Sequence, residues 1–296
     1  MESYVRTFSL MLAKRNGAIG LTFASSNRST CFTVPFCIHV KHVNVILCSG
    51  KLIVARSEKL LIIVATYNEI DCLPRLIHQI DEVLPKADIL VIDDGSPDGT
   101  GNWCEQAAEK YPQMSIIHRE GKLGLGSAAV VGFKHALDGD YDLVATMDAD
   151  LSHSPQSLVE MVKLIRRPAN KSVEVVLGSR YIEGGGTEDW PLSRRVASRT
   201  VNGFARFMLG LKTKDNSGAF RVYRFSALKK LDLAKLKSSD FAYLEEILWR
   251  LAKADVKMIE HPIIFKNREE GSSKTNPMLG LKVFWQITLM GLGRWK

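Results

Sequence analysis

Lys59-Leu-Leu-Ile-Ile-Val-Ala-Thr-Tyr-Asn-Glu69 decides how the chain folds. Leu60–Ala65 is an apolar run of strand length, too short for a buried helix, and it ends abruptly in polar residues. A helical pattern follows from about Asp71 to Leu84, with Asp71 in position to cap it. The unit then repeats. Strand Ile89–Ile92 leads through a loop to a helix near Gly101–Tyr111, and strand Ser115–His118 to helix Gly126–Leu137. Strand Leu143–Met147 leads to helix Pro155–Arg166, and strand Val173–Leu177 closes the series. Short buried strands alternating with helices predict an α/β fold, a mainly parallel twisted sheet with helices on both faces. Ligands of such sheets bind where loops leave the carboxyl ends of the strands, so the chemistry is sought there.

Outside this series the chain is less regular. Residues 1–56 hold seven Lys/Arg against the single acid Glu2 and show no sustained period, and they read as a poorly ordered basic extension. They account for most of the formal charge of +8: the remainder has 33 basic and 31 acidic residues, which argues against a nucleic-acid-binding surface. Residues 57–276 hold the working domain. The five cysteines are odd in number, lack C-x-x-C spacing and predict free thiols in a reducing compartment. Phe8–Ala13 is broken by Lys14 and Arg15, a poor secretory signal, and no apolar run reaches the roughly 18–20 residues of a membrane span. In residues 277–296, the stretch Leu279–Gly293 is apolar on most faces of a helix about 22 Å long, with Lys282 and Gln286 forming a narrow polar stripe. Trp285, Trp295, Arg294 and Lys296 suit the headgroup level, so this tail is expected to contact a membrane surface without crossing it.

Three strand ends carry ligand-capable loops. Thr66-Tyr67-Asn68-Glu69 offers an aromatic face and a carboxylate. Asp93-Asp94-Gly-Ser-Pro-Asp-Gly-Thr100 has turn composition, and its carboxylates are also able to accept hydrogen bonds from a base or ribose. Asp148-Ala-Asp150 puts two carboxylates two residues apart, where they either converge on a hard divalent cation or form a solvated turn before Pro155. Gly124-Leu-Gly126-Ser-Ala-Ala129 approximates a dinucleotide fingerprint, but it opens the third βα unit rather than the first, which argues against an oxidoreductase. Arg194 and Arg195, after Trp190-Pro191, read either as solvated charges or as a clamp on an anionic acceptor. Glu245 and Glu246 have helical spacing, with one expected to face solvent.

The ordered set Ala65–Glu69, Asp93–Thr100, Lys122–Gly126, Asp148–His153 and Gly178-Ser-Arg-Tyr181 resembles the dolichol- or polyprenol-phosphate mannose synthases, inverting glycosyltransferases of the GT-A fold. The resemblance extends from about residue 59 to 276. It includes Asp215-Asn-Ser-Gly-Ala-Phe-Arg221 and Arg268-Glu-Glu-Gly-Ser-Ser-Lys274. It implies transfer of mannose from GDP-mannose to dolichyl or polyprenyl phosphate, with a polyprenyl-phosphate glucose synthase as the rival within the fold. It further implies that Ala65, Tyr67, Glu69, Ile92 and Asp94 line the nucleotide pocket, and that Ala149 lies close to the donor. Asp148, Asp150 and Ser152 would hold Mg²⁺ or Mn²⁺, and Arg180, Arg268 and Lys274 would meet the donor and acceptor phosphates. Asp150, Arg268 and Lys274 are then the catalytic candidates. A peripheral place on the cytoplasmic face of a membrane goes with this reading, and a membrane-anchoring subunit is left open. Two departures stand out: Ala65 occupies the position where proline is usual, and the 56-residue extension has no counterpart in the family pattern.

Overall fold

A computed structural model describes residues 11–15, 18–22, 37–40, 43–48, 51–56, 58–267 and 277–295. The chain divides into two units, Met1–Ser57 and Glu58–Lys296. In the first, β1 (Met11–Arg15) pairs antiparallel with β2 (Ala18–Thr22), and β3 (Cys37–Val40), β4 (Val43–Cys48) and β5 (Lys51–Arg56) form a second antiparallel sheet. These are strands that periodicity in residues 1–56 does not announce.

The second unit opens with β6 (Leu60–Thr66), α1 (Leu73–Val83), β7 (Asp88–Asp93), α2 (Thr100–Ala107), β8 (Met114–His118) and α3 (Leu125–Asp138). It continues with β9 (Leu143–Asp148), α4 (Pro155–Arg166), β10 (Val175–Ser179), β11 (Gly186–Thr187), α5 (Leu192–Leu209) and β12 (Arg221–Arg224). Last come α6 (Phe225–Lys230), α7 (Tyr243–Lys253), β13 (Met258–Pro262), β14 (Ile264–Phe265) and α8 (Pro277–Gly291). Seven strands form one sheet in the order β13-β10-β12-β9-β6-β7-β8. Only β12 runs against the others: its pairings with β9 and β10 are antiparallel and the remaining ones parallel.

The continuous apolar run of β6 follows from burial on both faces. Leu61 and Ile63 enter one core cluster, with α3, α5, α6, α7 and α8, while Leu60, Ile62 and Val64 enter the other, with α1, α2 and α4. On α1, Leu73, Leu76, Ile77 and Ile80 form the i, i+3, i+4, i+7 stripe of a helix lying on a sheet. Full burial of each such side chain stabilises by about 1.5–3 kcal/mol. At Gly132 of α3, an added Cβ would stand 2.7 Å from the Ile63 side chain, so any larger residue there forces that side chain to shift.

Several boundaries differ from the sequence expectation. Asp71 does not cap α1: the cap position is Cys72, and the amides of Cys72 and Leu73 both reach the Glu69 carbonyl, so a turn comes before the helix. The α2 helix stops at Ala107 instead of continuing to Tyr111. The larger revision concerns α8. Its inner face is not a bilayer face, because Val283, Ile287 and Met290 belong to the core cluster beside α5 and α7, and Phe204 of α5 packs on Phe284 at 5.0 Å. Gln286 is buried on that same side, so it forms no solvent-facing stripe with the exposed Lys282. The outer face still shows Leu281 (72% exposed), Trp285 (63%) and Leu292, alongside Leu192, Val196 and Phe207 (84%) of α5. Among the described residues no helix is long and apolar enough to cross a membrane.

Candidate active site

The loops after β6 and β7 are tied to each other by short polar bonds. The amides of Asn68, Glu69 and Ile70 donate to Ser96 Oγ (2.9 Å), Thr100 Oγ1 (3.1 Å) and Asp98 Oδ2 (3.1 Å). Asn68 takes the left-handed region, φ 58°, which a short polar side chain tolerates better than most. Asp93 is consumed by the turn, accepting from Thr66 Oγ1 (3.1 Å) and the Ser96 amide (3.0 Å). Asp94 faces the cleft instead. Its carboxylate accepts from Arg119 (2.7 Å) and from the Leu123 amide (3.1 Å). Burial pushes its pKa up even against the Arg119 cation. Lys122 lies over the Tyr67 ring at 4.6 Å.

At the end of β9, Asp148 is 35% exposed and Asp150 only 3%. Leu151 between Asp150 and Ser152 has φ 60°, uncommon for a residue with a side chain, and this turns the chain sharply under the carboxylates. The Ser152 amide donates to Asp150 Oδ1 at 3.1 Å, and the Ser152 hydroxyl is buried with no hydrogen-bond partner. His153 lies beneath, stacked on Phe220 at 4.7 Å and edge-on to Phe265 at 5.2 Å. Burial lowers its pKa to about 4 despite Asp150, so the ring is neutral and its Nδ1 accepts the Asp148 amide at 3.2 Å. Two carboxylates and a buried hydroxyl without a hydrogen bond are hard oxygen donors, which suits Mg²⁺ or Mn²⁺. Among the described residues no cluster of three His, Cys, Asp or Glu side chains forms.

These strand ends frame a cleft of about 340 Å³. Ala65, Tyr67, Glu69, Asp94, Asp148, Ala149 and Asp150 line it together. Ile92 does not, being fully buried in the core. Arg180 is also away from the lining. It is buried against Asp215, with Nε and Nη2 each 2.7 Å from a carboxylate oxygen, and ringed by Tyr181, Trp190 and Phe265. Arg268 and Lys274 lie outside the described residues.

The cleft also has a second wall, made of Lys122, Gly124, Leu125 and Ala128 from the glycine-containing segment, Arg194, and Ser239, Asp240 and Phe241, which no motif identified. Arg194, left open between surface charge and clamp, stacks on Trp190 at 3.9 Å and borders the cleft. The dinucleotide-like glycines have a packing explanation. An added Cβ at Gly124 would meet the Ser239 carbonyl at 2.4 Å, and one at Gly126 the Ser238 carbonyl at 2.1 Å. The only available signal for residues 238–241 was this glycine spacing, which records their close approach. Asp240 is in turn paired with Lys282 of α8.

Neither Glu245 nor Glu246 is exposed, contrary to expectation, and neither lines the cleft. Glu246 accepts from Arg250 and from the amides of Lys237 and Ser238, which holds the chain entering that wall. Glu245 has an unpartnered Oε2, and burial raises its pKa to about 7.

The glycosyl transferase family 2 profile matches residues 61–232, which carry every strand-end loop described above. The chain belongs to glycosyl transferase family 2. This family member is 36% identical over 239 residues to an undecaprenyl-phosphate mannosyltransferase of Micrococcus luteus, covering 80% of this chain and 96% of the relative. It is 36% identical over 219 residues to a polyprenol monophosphomannose synthase of Mycolicibacterium smegmatis, covering 74% and 81%. Among solved structures, glucosyl-3-phosphoglycerate synthase of Mycobacterium tuberculosis, crystallised with Mn²⁺ and UDP, superposes with a TM-score of 0.54 at 16% identity over 80% of each chain. That likeness shows a shared fold. The family 2 protein is thus a glycosyltransferase of the α/β, GT-A type.

Proposed function

We propose that this glycosyltransferase moves mannose from GDP-mannose to a polyprenyl or dolichyl phosphate with inversion, aided by Mg²⁺ or Mn²⁺ at Asp148, Asp150 and Ser152. The observation that carries the reading is the Asp148/Asp150 pair at the end of β9. It lies in one cleft between the Tyr67–Glu69–Asp94 loops and the cationic side chain of Arg194. The names of the two relatives at 36% identity support mannose and a polyprenyl phosphate as substrates. A cation held there would neutralise the diphosphate leaving group. Tyr67, Glu69 and Asp94 bind and orient the nucleotide, Asp94 accepting hydrogen bonds from base or ribose. Arg194 faces the anionic acceptor, and Arg268 and Lys274 add charge to the same task. No side chain is required to deprotonate the nucleophile, because a phosphate monoester, with a second pKa of about 6, is already largely ionised at neutral pH.

The acceptor is a membrane lipid, and the outer faces of α5 and α8 support docking of the protein on a bilayer from its cytoplasmic side. Leu192, Val196 and Phe207 of α5 and Leu281 and Trp285 of α8 are exposed, and α5 also carries Arg194, Arg195 and Arg199, a composition suited to an anionic headgroup layer. The test is product formation by the purified protein from GDP-mannose or UDP-glucose, with polyprenyl phosphate in vesicles and Mg²⁺ or Mn²⁺. Mannosyl lipid from GDP-mannose alone is expected, and faster transfer from UDP-glucose would replace the donor assignment.

A further inference from the structure

Asn202 is a polar residue in the core-facing stripe of α5, only 2% exposed and otherwise accompanied there by Ala205 and Leu209. A buried amide is costly unless its hydrogen bonds are made. Here all four positions are used. Oδ1 accepts the amides of Asn216 (2.6 Å) and Ser217 (3.2 Å), while Nδ2 donates to the Ser198 carbonyl (2.9 Å) and to Ser217 Oγ (2.9 Å). Ser217 Oγ also accepts from Arg180 Nη2 at 3.0 Å. Two residues earlier, the Asp215 carboxylate receives the Arg180 amide, Nε and Nη2. The other side of that loop is held by Glu260 of β13, whose carboxylate accepts the amides of Lys214 (2.9 Å) and Asp215 (3.0 Å). Tyr181, next to Arg180, donates to Ser198 Oγ at 2.7 Å, a second tie to α5.

We infer that Asn202 is a positioning residue for the transfer reaction, holding Arg180 beside the Asp148/Asp150 loop through Ser217 and Asp215. An apolar residue at this place in α5 would leave the amides of Asn216 and Ser217 without their acceptor. The bonds run from a helix on one face of the sheet to the guanidinium that follows β10, so the placement of α5 sets where the Arg180 charge stands. The inference rests on the phosphate-binding role that the family resemblance implies for Arg180, which stands behind the cleft lining and not in it.

A double-mutant cycle separates a positioning role from a purely structural one. Asn202→Ala should lower kcat/KM about 10-fold in the native background and less than about 2-fold in an Arg180→Ala background. Hydrogen exchange at Arg180 Nε, its NMR signal assigned by its loss in Arg180→Lys, should be about 10-fold faster in Asn202→Ala. An equal loss of activity in both backgrounds, or unchanged exchange at Arg180 Nε, overturns the inference. Should Arg180→Ala keep full activity, the assignment of Arg180 to the phosphates fails, and the exchange rate alone decides whether Asn202 holds it. If Asn202→Ala does not fold, Ser217→Ala, which removes only the hydroxyl shared by Asn202 and Arg180, is put through the same two measurements with the same deciding outcomes.

Discussion

The two walls of the cleft are built on different principles. The wall formed by the loops after β6 and β7 is a set of turns whose partners lie in two neighbouring loops of adjacent strands, Asn68 with Ser96 and Ile70 with Asp98. The opposite wall is assembled from distant pieces: Arg194 at the start of α5, and Ser239–Phe241 ahead of α7, seated on the glycines of α3. Behind it, Arg180 is fixed by Asp215, 35 residues away. In the proposed function the first wall holds the nucleotide and the second meets the acceptor.

Breaking the seam between the walls should have the largest effect. Asp148→Asn and Asp150→Asn each remove a charged oxygen ligand from a loop at the cleft and should lower turnover at least about 100-fold with folding retained, as read by steady-state rates and circular dichroism. Near-native turnover in either variant would dissolve the metal assignment. On the acceptor side, Arg194→Ala should raise the KM for polyprenyl phosphate about 10-fold or more while leaving the KM for GDP-mannose nearly unchanged. A matched change in both constants would mean that the walls do not divide the substrates.

The lipid contact is tested more sharply by surface changes than by truncation, because cutting after Pro277 would remove Ile287 and Met290 from the core. Leu281→Gln with Trp285→Gln should weaken binding to anionic vesicles about 10-fold and slow transfer to a long polyprenyl phosphate, with transfer to a short soluble analogue unaffected. Equal slowing on both acceptors would assign α8 to the fold alone.

Glu245→Gln probes what lies behind the second wall. Burial raises the Glu245 pKa to about 7 from 4.5, partly opposed by Arg221 and Arg180 and assisted by Asp215. Between those values the folded chain keeps a proton that the unfolded chain has released, so stability falls as pH rises through that window. The glutamine variant should therefore gain stability over the native chain from about pH 5 to about pH 8, by at most about 3 kcal/mol, seen as a growing difference in Tm. A difference that does not change with pH would mean that Glu245 is ionised throughout. The smallest effect is expected from deleting residues 1–56, which should move Tm by no more than about 2 °C and leave turnover unchanged. Loss of folding would make that unit a structural part of the enzyme.

The same contrast explains what could be read from the chain before its structure. The central strands and the Asp93–Thr100 and Asp148–His153 loops were legible because each rests on neighbours in sequence: apolar runs set by two-faced burial, and turn residues that bond to their own loop. Ile92 was misplaced because a strand residue one position short of a site loop alternates back into the core. Arg180 was expected at the phosphates and instead lies behind the cleft lining against Asp215, since nothing in a local pattern marks a pair made across 35 residues. Gln286 and one of the two glutamates at 245 and 246 were assigned to the wrong environment because helical spacing gives a face and does not say what covers it.

The reversed direction of β12 has an effect on how this site is able to vary. In a sheet of purely parallel strands, only the segments that follow strands arrive at the edge where ligands bind. Because β12 points the other way, the segment that precedes it arrives there too, bringing Asp215, Ser217 and Phe220 under Arg180 and His153. Segments that follow strands and one that precedes a strand therefore both supply this edge, and residues 213–220 can change while the loops after β6 and β7 stay as they are.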